Sequence, residues 1–196
     1  MTLRVEVLTG TALGAALDDL ARLRIEVFRD WPYLYDGDLG YERRYLDSYR
    51  SADGATLVGA FDGDRLVGAA TATRLTDHAD DFARAFDRTP YDLGDIYYCA
   101  ESVLLPAYRG QGIGHLFFDR REARARALGC RYSAFCAVIR PDNHPARPAE
   151  YVPLDGFWTA RGYGKLDGAI AEYHWRDIGE AEQTPKPLQF WIKDLT

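Results

Sequence analysis

Lysine is nearly missing from this 196-residue chain: Lys165, Lys186 and Lys193 stand among 24 basic side chains, against 30 acidic ones, for a formal charge of −6. Nor is there any Lys/Arg-dominated run, and without clustered cations a protein cannot release the counterions on which coating of a phosphate backbone depends. Nucleic acid is therefore excluded as the main partner. The preference for arginine reads as the mark of a GC-rich genome and carries no functional weight. No stretch approaches the roughly 18 apolar residues of a membrane span, and Met1 to Glu6 lack the apolar core of a secretory signal. No membrane partner is expected, and the expected location is the cytoplasm. Cysteine is scarce too. Cys99, Cys130 and Cys136 are odd in number and stand at neither C-x-x-C nor metal-ligand spacing, so a disulfide scaffold is excluded, reduced thiols are expected and no metal site is predicted.

What is present is ample apolar material. Hydrophobic residues make up 47% of the chain and aromatics 13%, enough for one folded domain spanning residues 1–196. Leu3, Val5 and Val7 alternate as a strand does. From Thr11 onward Leu13, Leu17, Leu20, Leu23 and Val27 recur at helical spacing up to Phe28. Residues 29–41 break that period with Pro32, Gly37 and Gly40 while carrying four aromatics, which predicts a loop, and Glu42 to Arg50 reads as a short helix. Two β-rich runs, 56–61 and 66–74, flank Asp62-Gly63-Asp64-Arg65, a tight hairpin turn. Residues 75–93 read as an inserted polar arm with a helix over 80–87. Strands are then expected at 96–105, 131–139, 170–175 and 188–195, with helices at 112–128 and 154–161. Strands and helices mix without strict alternation, which implies an α+β or α/β fold with one mixed sheet.

The most informative segment is Leu104-Leu105-Pro106-Ala107-Tyr108-Arg109-Gly110-Gln111-Gly112-Ile113-Gly114, between a strand and a helix. Glycines at alternate positions let successive backbone N–H groups converge, and the following helix adds its positive N-terminal end. Such a turn suits phosphate oxygens, with Arg109 at its rim, although it can also do no more than shape a corner. It is not the nucleotide P-loop, because His115-Leu116 follow Gly114 where Lys-Ser/Thr is needed. It is not the dinucleotide fingerprint either, because the spacing is G-x-G-x-G rather than G-x-G-x-x-G.

The segment resembles the acyl-CoA loop of the GCN5-related N-acetyltransferase (GNAT) superfamily, Q/R-x-x-G-x-G/A, which Arg109-Gly110-Gln111-Gly112-Ile113-Gly114 satisfies. Residues 58–72 resemble that family's second and third strands. Phe157-Trp158-Thr159-Ala160-Arg161-Gly162-Tyr163 resembles its F-Y-x-x-x-G-F helix end, and 188–195 its closing strand. The resemblance implies a GNAT fold: a three-layer α+β arrangement, with a mixed, mostly antiparallel sheet of about seven strands that splays between strands 4 and 5. It implies transfer of an acetyl group from acetyl-CoA to an amine by direct attack in a ternary complex. Backbone groups of Ser102, Val103 and Leu104 would pair with the pantetheine arm, those of Gly110, Gln111, Gly112, Ile113, Gly114 and His115 would hold the pyrophosphate, and Asn143 stands nearest the family's cofactor-contacting asparagine.

An alkylammonium with a pKa near 10.4 must lose a proton before it attacks, at a cost of about 4.6 kcal/mol at pH 7. Glu101, in the segment where this family often places a carboxylate base, is the first candidate; the alternative is a structural carboxylate paired with an Arg or Tyr. The family's acid, a tyrosine, aligns with Trp158, whose indole cannot serve, so Tyr151 and Tyr163 become the candidates for protonating the thiolate. His144, in the Pro-rich 140–153 connection, reads as a base or as a capping residue. In the 29–41 loop, Trp31, Tyr33, Tyr35 and Asp36, with Asp38, read either as walls of an acceptor pocket or as lid and turn residues. The expected acceptor is a small-molecule amine. A non-catalytic acyl-CoA-binding module and a protein or peptide acetyltransferase are the alternatives, and the sequence does not choose between a monomer and a homodimer.

Overall fold

The computed structural model describes residues 3–196; Met1 and Thr2, which open the segment read as lacking a secretory signal, lie outside that range. Along the chain the elements are β1 (Leu3–Leu8), α1 (Gly10–Phe28), α2 (Leu39–Ser51), β2 (Thr56–Asp62), β3 (Arg65–Arg74), α3 (Ala79–Phe86), β4 (Ile96–Tyr98), β5 (Ser102–Leu104), α4 (Ile113–Ala127), β6 (Tyr132–Val138), α5 (Asp155–Ala160), β7 (Gly164–Trp175) and β8 (Thr184–Asp194). The sheet is ordered β1-β2-β3-β4-β6-β8-β7, and β5 pairs with β3 beyond the end of β4. Only β4 with β6 is parallel among the described pairings. This is the mixed, mostly antiparallel α+β sheet that the sequence implied.

The eighth strand arises because residues 96–105, expected as one strand, are two. Tyr98 pairs with Thr73, whereas Ser102 pairs with Ala70, so residues 99–101 oppose only residues 71 and 72. One extra residue in one strand is a bulge, which bends the strand and ends its regular pairing. The Cys99 N–H still donates to the Ala134 carbonyl at 2.8 Å. Past that bond β5 stays with β3 while β6 runs alongside β8, and the sheet splays between them.

Helices cover both faces. Tyr98 packs with Phe82 and Phe86 of α3, while its neighbour Tyr97 packs with Phe118 of α4, as the period of two along a strand requires. α1 buries Leu13, Leu17, Leu20, Ala21 and Leu23, the stripe its sequence period predicts. α2 begins at Leu39, three residues earlier than expected, because the Asp38 carboxylate accepts the Tyr41 N–H at 2.8 Å and caps it. Residues 75–93 are no detached arm: Phe82 and Phe86 of α3 lie edge-on to Phe190 of β8, with ring centroids 5.6 and 4.8 Å away. β7 and β8 each begin earlier than their apolar runs suggested, and their register shifts between Lys165 and Ile170. Among the described residues no helix is long and apolar enough to cross a membrane.

Leu20, fully buried in the cluster that joins α1 to β2 and β3, reports on this packing. Leu20→Ala should lower unfolding free energy by about 2–5 kcal/mol, read as a shifted urea midpoint with an unchanged denaturant slope.

Candidate active site

The splay opens a cleft of about 1300 Å³, walled on one side by Ala100, Glu101, Ser102 and Leu104 and on the other by Cys136 to Arg140 of β6 and its continuation. In an antiparallel ladder, backbone groups alternate between facing the neighbour and facing away. Thr71 donates to the Glu101 carbonyl and the Leu105 N–H donates to Val67, so positions 101, 103 and 105 face β3, and Ser102 and Leu104 present their N–H and C=O groups to the cleft. Val103, expected to offer its backbone to a ligand, is instead committed to β3, with its side chain wholly buried.

At the head of the cleft lies the glycine turn. Gly110 and Gly112 adopt φ of 75° and 79°, with open space where a Cβ would stand; a side chain in that backbone conformation costs about 1–2 kcal/mol. Gly112 caps α4 without a side-chain hydrogen bond, and no acidic residue occupies the first turn. Among the described residues nothing accepts from the amides of residues 110–114. Converging free N–H groups at the positive end of a 15-residue helix form a cradle for an anion. Arg109, Gly110, Gly112, Ile113, Gly114 and His115 line it. Gln111 turns its side chain aside, its Nε2 donating to the Ala107 carbonyl at 3.2 Å, while its backbone N–H is as free as its neighbours'. The His115 ring packs against Phe157, and its Nδ1 lies 3.1 Å from Arg161.

A second cavity, of about 90 Å³, adjoins the cleft and shares Phe28, Tyr33, Ala100, Glu101 and Cys136 with it. Its charged centre is a buried triad. Arg24 Nε donates to Glu42 at 2.5 Å and Arg24 Nη1 to Glu101 at 2.5 Å. Glu42 also accepts the Tyr35 hydroxyl at 2.8 Å and Glu101 the Thr71 hydroxyl at 2.6 Å, while Phe28 and Tyr45 flank the guanidinium. Burial opposes the charge on Arg24, but the two carboxylates prevail and hold its pKa well above the usual value. From the α4 side Arg121, 1% exposed, donates to the carbonyls of Glu101 and Thr71 at 3.0 and 3.3 Å and to the Ser102 hydroxyl at 2.9 Å. One arginine thus fixes the side chain of residue 101 and another its carbonyl.

Trp31 lines the cleft and meets Tyr151 edge-on at 5.9 Å; Tyr151 lines it as well, its hydroxyl pKa raised by burial. Tyr33 and Tyr35 line the smaller cavity. Arg140 straps this region together, donating to the carbonyls of Pro32 and Tyr33 and pairing with Asp177 at 2.7 Å. Three expected residues lie elsewhere. Asp36 pairs outward with Arg176 at 2.7 Å. Asn143 sits exposed in the turn after Pro141, away from the cleft wall. Tyr163 is 2% exposed, hydrogen-bonded to Ser133 and Glu122 and packed on Phe135, so its hydroxyl does not face the cleft. The Cys136 thiol, pushed up to about 12 by burial, stays protonated. Sequence reasoning missed Arg24 and Glu42. The signal was Arg24 itself: four residues after Leu20 and four before Phe28, it stands on the apolar stripe of α1, where a charge requires a buried partner.

Residues 18–149, more than half of the chain, match the model of the acetyltransferase (GNAT) family, and the chain belongs to that family. No curated protein matches it in sequence. Among solved structures it is similar to a ribosomal-protein-alanine N-acetyltransferase from Brucella melitensis, at 14% identity, covering 96% of this chain and 99% of that one with a TM-score of 0.60. It is similar to PaiA N-acetyltransferase from Thermoplasma acidophilum in complex with coenzyme A, at 12% identity, 99% coverage of both and a TM-score of 0.56. It is also similar to YncA of Salmonella typhimurium, a putative acetyltransferase solved with acetyl-CoA, at 12% identity, 100% and 95% coverage and a TM-score of 0.59.

Removing the guanidinium would leave two buried carboxylates facing each other. Arg24→Leu should cost about 3–5 kcal/mol at pH 7. In that variant the two buried carboxylates lose their shared counter-charge, and protonating either relieves the uncompensated charge. The folded state then takes up protons as pH falls, and the deficit relative to the parent narrows between pH 7 and 5. Urea unfolding at the two pH values measures this; an equal deficit at both would show that the carboxylates keep another counter-charge.

Proposed function

We propose that the protein transfers the acetyl group of acetyl-CoA to the nitrogen of a small primary amine, by direct attack while both are bound. One observation carries this reading: the cleft that begins at the glycine turn and the aromatic cavity meet at Glu101. Family membership and the coenzyme A and acetyl-CoA complexes named among the similar structures support it. The free amides of the glycine turn fit a diphosphate, and the cleft-facing backbone groups of Ser102, with the N–H of Leu104, fit an amide-bearing arm, the Leu104 carbonyl being taken by Arg109 Nε at 3.2 Å.

Acetyl-CoA supplies the acetyl group as an activated thioester. The chain's residues do the rest. Glu101, held in place by Arg24 and Thr71, still has lone pairs to accept a hydrogen bond from an ammonium and relay its proton to solvent. These partners fix the direction of the carboxylate, and Glu101 acts by orienting the amine and relaying its proton. Tyr151, which lines the cleft with its proton retained by burial, is the residue we assign to hydrogen-bond the departing sulfur. A thiol pKa near 8.5 lets water complete that protonation, so Trp158 at the family's tyrosine position does not block turnover.

Gly112→Glu, which forces a side chain into a left-handed turn and adds a negative charge at the anion cradle, should weaken acetyl-CoA binding roughly tenfold or more by calorimetry. Unchanged affinity would place the cofactor elsewhere. Glu101→Gln should reduce kcat roughly 100-fold near pH 7, with the loss shrinking as pH approaches the pKa of the amine. A pH–rate profile identical in shape to the parent's would remove Glu101 from proton transfer. Following acetylated product by mass over an amine panel tests turnover itself and separates an enzyme from a binding module.

A further inference from the structure

The cavity beyond Glu101 narrows the acceptor, an argument that rests on the acetyl-transfer reading above. Nine of its sixteen lining residues are aromatic. Their polar tips are largely engaged: Tyr35 with Glu42 at 2.8 Å, Tyr98 with Cys136 at 3.3 Å and Tyr41 with Tyr173 at 3.2 Å. A ligand there meets ring faces. The buried phenols hold their protons, their pKa values raised chiefly by desolvation.

The charges lining this space are one cation, Arg24, against Glu42, Glu101 and, at the rim, the 42% exposed side chain of Asp81. Arg24 is held by both buried carboxylates and sandwiched by Phe28 and Tyr45, so it is poorly placed to receive an anionic ligand. The neighbouring cations are engaged as well. Arg121 reaches residue 101 from the α4 side and binds backbone carbonyls. Arg140 and Lys186, which lie over the Trp175 ring, both pair with Asp177. Aromatic faces and an excess of carboxylates attract a cation and repel an anion.

We propose that the acceptor is an arylalkylamine without a carboxylate, its ammonium at Glu101 and its ring among Phe82, Tyr98, Tyr173 and Trp175. The clear space, about 90 Å³, is roughly six to nine times what one water needs, which suits a single ring and a short arm. An α-carboxylate next to the amine would be driven against Glu42 and Glu101 with no free cation to receive it. A second ammonium, as in a polyamine, would gain ring faces and the solvent-screened Asp81 but no buried carboxylate of its own to offset its desolvation, whereas an uncharged ring fills the same space with no such cost.

The test compares phenethylamine, phenylalanine and spermidine at saturating acetyl-CoA, with acetylated product followed by mass. Phenethylamine should exceed both others in kcat/KM roughly 100-fold; equal or greater turnover of phenylalanine or spermidine overturns the assignment. Calorimetry separates this from failure of the reaction itself. Acetyl-CoA binding is measured first, then each amine alone. If acetyl-CoA does not bind, the transfer reading falls, and the cavity assignment is decided by the amines: phenethylamine binding at least tenfold tighter than phenylalanine sustains it, and no such preference overturns it. If acetyl-CoA binds but phenethylamine neither binds nor reacts, the acceptor class is wrong while the transfer reading stands.

Discussion

A single guanidinium, caught between two carboxylates in a space nearly closed to water, holds the centre of this molecule. Arg24 comes from the first helix, Glu42 from the second and Glu101 from the break in the sheet. Three segments far apart in sequence are thereby brought to one point, and each partner depends on the others, because an unpaired buried charge is far costlier than a paired one. The triad fixes where the aromatic cavity ends and where the cleft begins. Arg121 completes the arrangement from the α4 side by gripping the carbonyl of the residue whose side chain Arg24 holds. The junction of the two cavities is therefore clamped through both the backbone and the side chain of residue 101.

The two cavities differ in what they ask of the sequence. The cleft is built largely from backbone: a bulge, a splay, left-handed glycines and the first amides of a helix. Its signature survives in a short motif because only glycine adopts those turns without strain. The aromatic cavity is built from side chains contributed by α1, the loop after it, α2, α3, β4, the break in the sheet, β6, β7 and β8. Its identity is spread across the whole chain and leaves no local motif.

That division explains how much was legible beforehand. Helix α1, the hairpin at Gly63 and the loop at 109–114 announced themselves through local rules: period, turn chemistry and glycine placement. The break at 99–101 did not, because a bulge depends on what the neighbouring strand does, and Cys99-Ala100-Glu101 carries no turn signal. The role of Asp36 was misjudged since its partner, Arg176, lies 140 positions away in sequence. Tyr163 illustrates the converse. Its place in a family helix-end pattern was clear, yet whether its hydroxyl faced cleft or core was decided by Ser133 and Glu122. Asn143 is the nearest equivalent of the family's cofactor-contacting asparagine in a longer Pro-rich connection, and that connection is anchored at Arg140 to Pro32, Tyr33 and Asp177 by contacts no local pattern announces.

The extra residue between Tyr98 and Ser102 has an evolutionary side. It works by count rather than by identity: three residues facing two will kink a strand whatever their side chains, provided the total is kept. A bend stored as a number of peptide units leaves the residues that have no further duty, unlike Glu101, free to drift, while a one-residue deletion there would remove the bend itself. Structures that share this architecture over nearly their entire length while agreeing at only 12–14% of positions are what that kind of constraint permits.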